Sequence, residues 1–186
     1  MLTQLKSAGV PVKIVPSERS LRGAEDKVRA VAALLDEPDR GEDLVRSMQK
    51  RADSVAPVSA STRVVFLFGW GGGTLSVAGR QTAADAMIRL SGATNAIQQY
   101  DGYKPITPEA LLIASPDVIL IASGTWKAIG GTEGLRKIPG VSETVAWRSH
   151  RIVEVDPLKF LGFGPRTGEA IAELRRALAD AMQRTH

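Results

Sequence analysis

The stretch from Val64 to Gly79, VVFLFGWGGGTLSVAG, constrains the fold of this chain more than any other part of it. Its first five residues, Val64 to Phe68, are apolar. They are too few to span a membrane and are rich in β-branched and aromatic side chains, which predicts a parallel strand buried on both faces. The glycines that follow would let a ligand lie against the backbone at the carboxyl end of that strand. We therefore expect this loop to form part of a functional surface.

The composition narrows the class of partner. The 186 residues carry a net charge of +4, with a pI near 9.6 and 5% aromatic residues. Because the basic residues are dispersed and few aromatic residues accompany them, we expect no nucleic-acid partner. The chain has no cysteine, so it can form neither a disulfide nor a thiolate metal site.

Targeting signals are not apparent in the sequence. No apolar run reaches the roughly 18 residues that a membrane-spanning helix needs. The start, MLTQLKSAGVPV, does not show the charged and apolar regions of a signal peptide. The residues alone therefore predict a cytoplasmic protein.

Strands and helices alternate along the chain. Apolar runs predict further strands at Val12 to Val15, Val118 to Ala122 and Ile152 to Val155. The last two strands and the glycine-rich strand each end in a loop that contains glycine or proline. This pattern predicts an α/β fold with a parallel sheet. Three of these loops would lie together at one edge of the sheet: residues 69–76, 123–131 and 160–167.

Two helices are predicted before the glycine-rich strand. Ser20 can cap a helix that runs to Leu35, and a second helix is predicted from about Arg40 to Ala56. The second helix stands between a short N-terminal piece and the rest of the chain. Its periodicity fits a connector between two lobes and fits equally well an amphipathic helix packed on a single domain.

The chemistry of the glycine loop excludes the common nucleotide sites. No Lys follows the glycines, as a P-loop requires, and Thr74 and Ser76 occupy the positions where a dinucleotide fingerprint would have glycine. The two histidines, His150 and His186, do not form a hydrolytic triad or a metal-ligand pattern with nearby acids. We therefore predict a protein that is not an enzyme, with no catalytic residue and no metal site.

Single aromatic residues and cations accompany the loops. They occur in four places: Trp70; Tyr103 with Lys104; Trp126 with Lys127; and Phe163 with Arg166. Aromatic walls with one or two cations suit a large planar molecule that carries carboxylates, because a guanidinium binds a carboxylate in bidentate geometry and rings bury apolar area. The alternative is a glycine loop that only makes a tight turn.

Three motifs resemble those of the haem-binding substrate-binding proteins of bacterial ABC importers. They are AGRQTAAD from Ala78, GYKPITPE from Gly102 and GFGPRT from Gly162. The resemblance covers nearly the whole chain. A fourth motif, SPDVIL, is shared more widely among class III receptors, which bind iron siderophores and cobalamin. The resemblance implies that the chain binds haem (hemin) and delivers it to a membrane permease that works with an ATPase subunit.

The family fold implies two Rossmann-like lobes joined by a rigid helix, with haem between them. On that map residues 1–38 are a remnant of the N-terminal lobe, residues 39–58 are the connecting helix and residues 59–186 are the C-terminal α/β lobe. Most of the N-terminal lobe would then be absent, for a reason that the sequence leaves open. Members of the family are exported, which implies a periplasmic location although this sequence shows no signal peptide.

The resemblance also implies a binding wall in the second lobe. Its predicted residues are Trp70, Gly71, Gly72, Gly73, Thr74, Tyr103 and Arg166, and for Arg166 a structural role in its loop is the alternative. Haem would be the transported ligand. The tyrosine that the family uses as an axial ligand belongs to the first lobe, so we expect the iron ligand to lie outside this chain. Glu133 is the predicted contact with the permease.

Two other hypotheses stay open. The same receptor fold could bind a ferric siderophore or cobalamin. Alternatively, the chain could be a cytoplasmic α/β domain without a transport role, which self-associates through an exposed sheet edge.

Overall fold

The computed structural model describes residues 2–9, 11–69 and 75–184. The helices in these ranges are α1 (Leu2–Ser7), α2 (Leu21–Leu34), α3 (Pro38–Ala52), α4 (Ala83–Leu90), α5 (Pro108–Ala114), α6 (Ser123–Ile129), α7 (Gly131–Arg136), α8 (Val145–Arg148), α9 (Pro157–Leu161) and α10 (Thr167–Met182). The strands are β1 (Arg63–Phe68), β2 (Ser76–Ala78), β3 (Thr94–Asn95), β4 (Tyr103–Pro105), β5 (Val118–Ala122) and β6 (Ile152–Val155).

The strands form one open sheet in the order β4-β2-β1-β5-β6, and β3 also pairs with β1. Strands β1, β5 and β6 are parallel, with Val64 opposite Val118 and Ile119 opposite Ile152. Strands β2 and β4 extend the sheet in antiparallel pairing beyond β1. The predicted α/β fold with a parallel sheet is therefore confirmed for the central strands, whereas the antiparallel edge was not predicted.

Helix caps follow the sequence signals closely. The Ser20 hydroxyl accepts a hydrogen bond from the backbone N–H of Gly23 at 2.9 Å, at the start of α2. The Thr107 hydroxyl accepts one from Ala110 at 3.2 Å, and Pro108 is the first residue of α5. These contacts satisfy N–H groups that a helix start leaves without partners.

Two local predictions were wrong. Residues 12–15 do not form a strand, because no other strand of the described residues lies beside them to share backbone hydrogen bonds. Residues 123–129 form helix α6 directly after β5, where a loop was expected. Gly130, with φ +84°, ends that helix in the left-handed conformation that glycine adopts readily.

The sheet is buried between two layers of helices. Side chains such as Phe66 and Leu120 face a cluster that is covered by α3, α4, α9 and α10. Their neighbours Leu67 and Ile119 face a second cluster, which is covered by α5 to α8. The alternation along each strand places successive residues on opposite faces, as a sheet covered on both sides requires.

Helix α3 is fixed closely to α10. A Cβ atom on Gly168 would lie 2.0 Å from the carbonyl oxygen of Met48, so the two backbones approach as only glycine permits. Arg175 of α10 donates hydrogen bonds to the carbonyl oxygens of Ala52, Val55 and Leu90, at 2.6, 2.8 and 3.0 Å. The C-terminal ends of α3 and α4 are thereby held together.

Candidate functional site

A cleft of about 420 Å³ opens at the carboxyl edge of β1 and β5. It is lined mainly by apolar atoms of Phe68, Gly69, Ala122, Gly124, Thr125, Pro157, Leu158, Leu161 and Gly162. Residues from all three predicted loops, 69–76, 123–131 and 160–167, thus meet at one edge of the sheet. Ligands bind at this edge in open α/β sheets, because the loops that follow parallel strands converge there.

Thr125 ties the first loop to the second. The backbone N–H of Gly69 donates to the Thr125 hydroxyl at 3.0 Å, and that hydroxyl donates to the Gly69 carbonyl at 3.1 Å. Thr125 is buried, so this pair of hydrogen bonds is shielded from water. One side chain therefore satisfies both backbone groups of Gly69 and fixes the floor of the cleft.

Helix α9 forms an apolar side of the cleft. Asp156 caps this helix by accepting a hydrogen bond from the N–H of Leu158 at 2.9 Å. The Leu158 side chain is nevertheless 77% exposed, whereas Leu161 is half-buried. A leucine this exposed at the rim of an apolar cleft offers a surface that a ligand could cover.

An ion-pair network attaches α9 to α10. The Lys159 ammonium donates to Glu169 at 2.8 Å and to Glu173 at 2.9 Å. Its hydrogen bond with Lys159 lowers the pKa of Glu169, and the bonds from both carboxylates raise the pKa of Lys159. These charges therefore persist around neutral pH and hold the helix that carries Leu158.

Tyr103 extends the aromatic surface next to the cleft. It lies in β4 opposite Ala78, and its ring centroid is 6.4 Å from that of Phe68. The residue is 42% exposed. Burial of its hydroxyl end raises the pKa of Tyr103, so the phenol is neutral at physiological pH and can donate a hydrogen bond.

The two charged residues predicted for binding are both exposed. Arg166 is the residue before α10, and its side chain makes no hydrogen bond or ion pair with another described residue. Glu133 lies in the first turn of α7 and forms an ion pair with Arg136 at 3.2 Å. Neither residue lines the cleft itself. Trp70, Gly71, Gly72, Gly73 and Thr74 lie outside the described residues.

Several aromatic residues and cations near the loops serve the fold instead. Phe163 is 2% exposed and packs in the first core cluster. Trp126 packs against the second cluster. The Lys104 ammonium lies 4.6 Å from the ring centroid of Tyr100, a cation–π contact within the edge of the sheet. The other described members of the predicted constellation, Tyr103, Lys127 and Arg166, are exposed.

Sequence reasoning missed Leu158, Leu161 and Thr125. The proline that follows a strand end at Pro157 signals a helix start, but an exposed leucine has no pattern that separates it from a core leucine. Across the described residues, no group of three or more His, Cys, Asp or Glu side chains is placed to hold a metal ion. In the same ranges, no helix has both the length and the apolar character needed to cross a membrane.

A family model and two solved structures similar to this chain are all described as periplasmic binding proteins. A family model described as "Periplasmic binding protein" matches residues 2–158. The solved structure of the periplasmic heme-binding protein BhuT in complex with two hemes is 39% identical, with a TM-score of 0.87 over 97% of this chain and 70% of that chain. The apo structure of the periplasmic heme-binding protein RhuT from Roseiflexus sp. RS-1 is 38% identical, with a TM-score of 0.86 over 98% and 72% of the two chains.

A curated relative is similar over almost the same region. The uncharacterized ABC transporter substrate-binding lipoprotein YvrC of Bacillus subtilis (strain 168) is 26% identical over 184 residues. The match covers 95% of this chain and 56% of that protein. This chain therefore spans somewhat more than half the length of the curated relative that it matches.

Proposed function

This chain belongs to the periplasmic binding protein family, and we propose that it is the substrate-binding component of an ABC importer, which binds haem and delivers it to a membrane permease. The apolar cleft at the carboxyl edge of the sheet carries the proposal, since it offers a flat ring a surface with few polar groups. The similarity to BhuT and RhuT, both heme-binding proteins, supports haem as the ligand.

The proposal assigns the porphyrin ring to the apolar side of the site. Leu158, Leu161 and Phe68 would cover one part of the ring, and Tyr103 would extend this surface. The Arg166 guanidinium has no partner among the described residues and could bind a propionate in bidentate geometry. We also propose that Trp70, Gly71, Gly72, Gly73 and Thr74 complete this wall, because they follow β1 directly.

The lobes are assigned as the family resemblance implies. We propose that residues 59–186 form the C-terminal lobe, that residues 39–58 form the connecting helix, and that residues 1–38 belong to the N-terminal lobe. Haem would then lie between this lobe and the first one. Because the chain spans only part of its relatives' length, we expect part of the opposite wall to come from outside it.

The iron ligand is also expected from outside this chain. The family resemblance implies that the axial tyrosine belongs to the first lobe, whereas Tyr103 lies in β4 with its ring centroid 6.4 Å from that of Phe68. We therefore propose that Tyr103 contacts the porphyrin as an aromatic surface and a hydrogen-bond donor. Binding by this chain should depend on the ring and its carboxylates more than on the metal.

The other proposed partners are the permease and its ATPase subunit. We propose that this chain contacts the permease on the periplasmic side of the membrane. Glu133 is the proposed permease contact, since its carboxylate is 71% exposed and a periplasmic receptor can present such a charge to a cation of its transporter. The Arg136 ion pair on the same helix would leave part of that carboxylate accessible.

Titration with hemin tests the proposal. We expect a saturable shift of the Soret band and quenching of tryptophan emission. Affinity should be weak, with a Kd of about 1 µM or above, because we expect an axial ligand and part of the wall to come from outside this chain. Cobalamin and ferric siderophores should not compete.

Three results would contradict the proposal. Competition by cobalamin or by a ferric siderophore would indicate the same receptor fold with another ligand. A stable dimer without a haem response would favour an oligomerising domain that has no role in transport. An unchanged Soret band, both for this chain and for one extended at its N-terminus, would exclude haem.

A further inference from the structure

We infer that Arg19 and Lys27 are positioning residues, which hold the two sides of the proposed haem cleft in place from α2 and the residue before its N-cap. This inference rests on the proposed function. Arg19 immediately precedes Ser20, the N-cap of α2, and Lys27 lies eight residues further along. Each cation donates a hydrogen bond to the backbone carbonyl of a residue in the left-handed conformation, on opposite sides of the site.

Lys27 holds the turn between α9 and α10. Its ammonium lies 2.8 Å from the carbonyl oxygen of Phe163, in a partly buried contact. Phe163 has φ +43°, which is strained for a bulky side chain. Its neighbour Gly162 lines the cleft, and Arg166 follows three residues later. Lys27 therefore fixes the turn that presents Arg166.

Arg19 holds the turn before α4. Its guanidinium donates to the carbonyl oxygen of Gln81 at 2.8 Å, and Gln81 has φ +59°. The Gln81 amide in turn donates to the Asp101 carboxylate at 2.9 Å. The carbonyl oxygen of Arg80 accepts from the N–H of Gly102 at 2.9 Å. Because Tyr103 follows Gly102, Arg19 supports the strand that carries Tyr103.

Helix α2 is packed against α3 and the core, so the cations at its start and on its surface have a fixed position. Ala24 and Val28 are buried against Val45 and Met48 of α3. Leu21 packs on the core cluster that includes Phe66. Since Lys27 lies on this packed helix and Arg19 directly precedes its N-cap, the two turns cannot move apart without breaking a charged hydrogen bond. The separation between the Tyr103 side and the Arg166 side is thereby fixed.

Substitution of each cation tests the inference. Lys27→Met should speed amide hydrogen exchange about tenfold within residues 162–167, and Arg19→Met should do so within residues 79–84, because one charged hydrogen bond is lost in each case. Each variant should also raise the Kd for hemin about fivefold. Lys27→Arg and Arg19→Lys should restore most of both properties.

Arg22→Met is the matched control. Arg22 lies in the same helix, its side chain is 88% exposed, and its ion pair with Asp26 is 3.9 Å long. This variant should leave the exchange rates and the Kd unchanged. Exchange that stays slow in the two cation variants, or that rises uniformly along the chain, would overturn the inference.

The two proposals can fail separately. If the parent chain binds hemin and both cation variants bind it equally well, the positioning role is wrong and the haem proposal stands. If neither the parent chain nor one extended at its N-terminus binds hemin, the haem proposal fails and the assignment to a haem site fails with it. The exchange pattern then still decides whether the cations hold the turns.

Discussion

Strands β5 and β4 belong to one sheet and differ in their surroundings. All five residues of β5 are buried, and the strand pairs with β1 on one side and β6 on the other. All three residues of β4 are exposed, and among the strands of the described residues β4 pairs with β2 alone. An apolar run in a sequence indicates a buried strand, whereas a strand at an exposed edge is held by backbone hydrogen bonds and needs no such run.

One substitution in each strand tests how much the two strands contribute to the free energy of unfolding. Leu120→Ala in β5 removes a fully buried side chain and should lower the free energy of unfolding by about 3 kcal/mol. Tyr103→Ala in β4 should lower it by less than about 1 kcal/mol, because that side chain is 42% exposed. Urea denaturation followed by circular dichroism measures both. Equal losses would show that the exposed edge contributes as much to stability as the central strand.

Arg175, a partly buried cation, should contribute to stability as the β5 residues do, although no apolar pattern marks it. Arg175→Met would leave the carbonyl oxygens of Ala52, Val55 and Leu90 without their present donor. We expect a loss of about 2 kcal/mol in the free energy of unfolding, since partly buried carbonyls are costly to leave unpaired. The adjacent exposed Arg176→Met serves as the control and should change stability by less than about 0.5 kcal/mol. A similar small loss for Arg175→Met would mean that water replaces the guanidinium.

The same distinction explains which parts of the fold were predictable. The bounds of β5 and β6 were predicted to the residue. For β5 the apolar run stops where burial stops. The cap at Thr107 was predicted because side-chain chemistry identifies a helix start. Strands β2 and β4 were missed, since three residues are too few to show a period.

The site was predictable in its location and only partly in its residues. A parallel sheet places its loops at the carboxyl edge, so the meeting of three loops followed from the fold class. The sequence could not show that Phe163 turns into the core or that Trp126 lies on a helix. Both outcomes depend on tertiary packing. Leu158 was missed for the opposite reason, because an exposed leucine resembles a core leucine until the fold is known.

Leu158 has an apolar side chain that is exposed, as the residues of β4 are. We therefore expect it to contribute to hemin binding and little to stability. Leu158→Ser should raise the Kd for hemin about tenfold, because the serine cannot replace the apolar surface offered to the ring. The free energy of unfolding should change by less than about 0.5 kcal/mol. Soret titration and urea denaturation measure these two quantities.

The control for Leu158 is a second exposed leucine outside the cleft. Leu112 of α5 is 54% exposed, and Leu112→Ser should leave the Kd unchanged. Equal Kd values for the two variants would place the ring away from α9. A large loss of stability in Leu158→Ser alone would instead show that this leucine belongs to the core, as the β5 residues do.

The ion pair between Lys159 and Glu169 attaches α9 to α10. Both side chains are partly exposed, so their burial lies between that of β5 and that of β4. Lys159 lowers the pKa of Glu169, so the stability from this pair is present above the ordinary pKa of a glutamate and is lost as the pH falls through the lowered value. Glu169→Gln should therefore cost up to about 1 kcal/mol at pH 7. The difference from the parent chain should shrink as the pH falls through the lowered pKa of Glu169, because a protonated glutamate resembles glutamine. Thermal unfolding from pH 7 to pH 3 measures this convergence, with the exposed Glu143→Gln as control. A difference that stays constant with pH would mean that Glu169 acts through packing, and α9 would then be held by its apolar contacts alone.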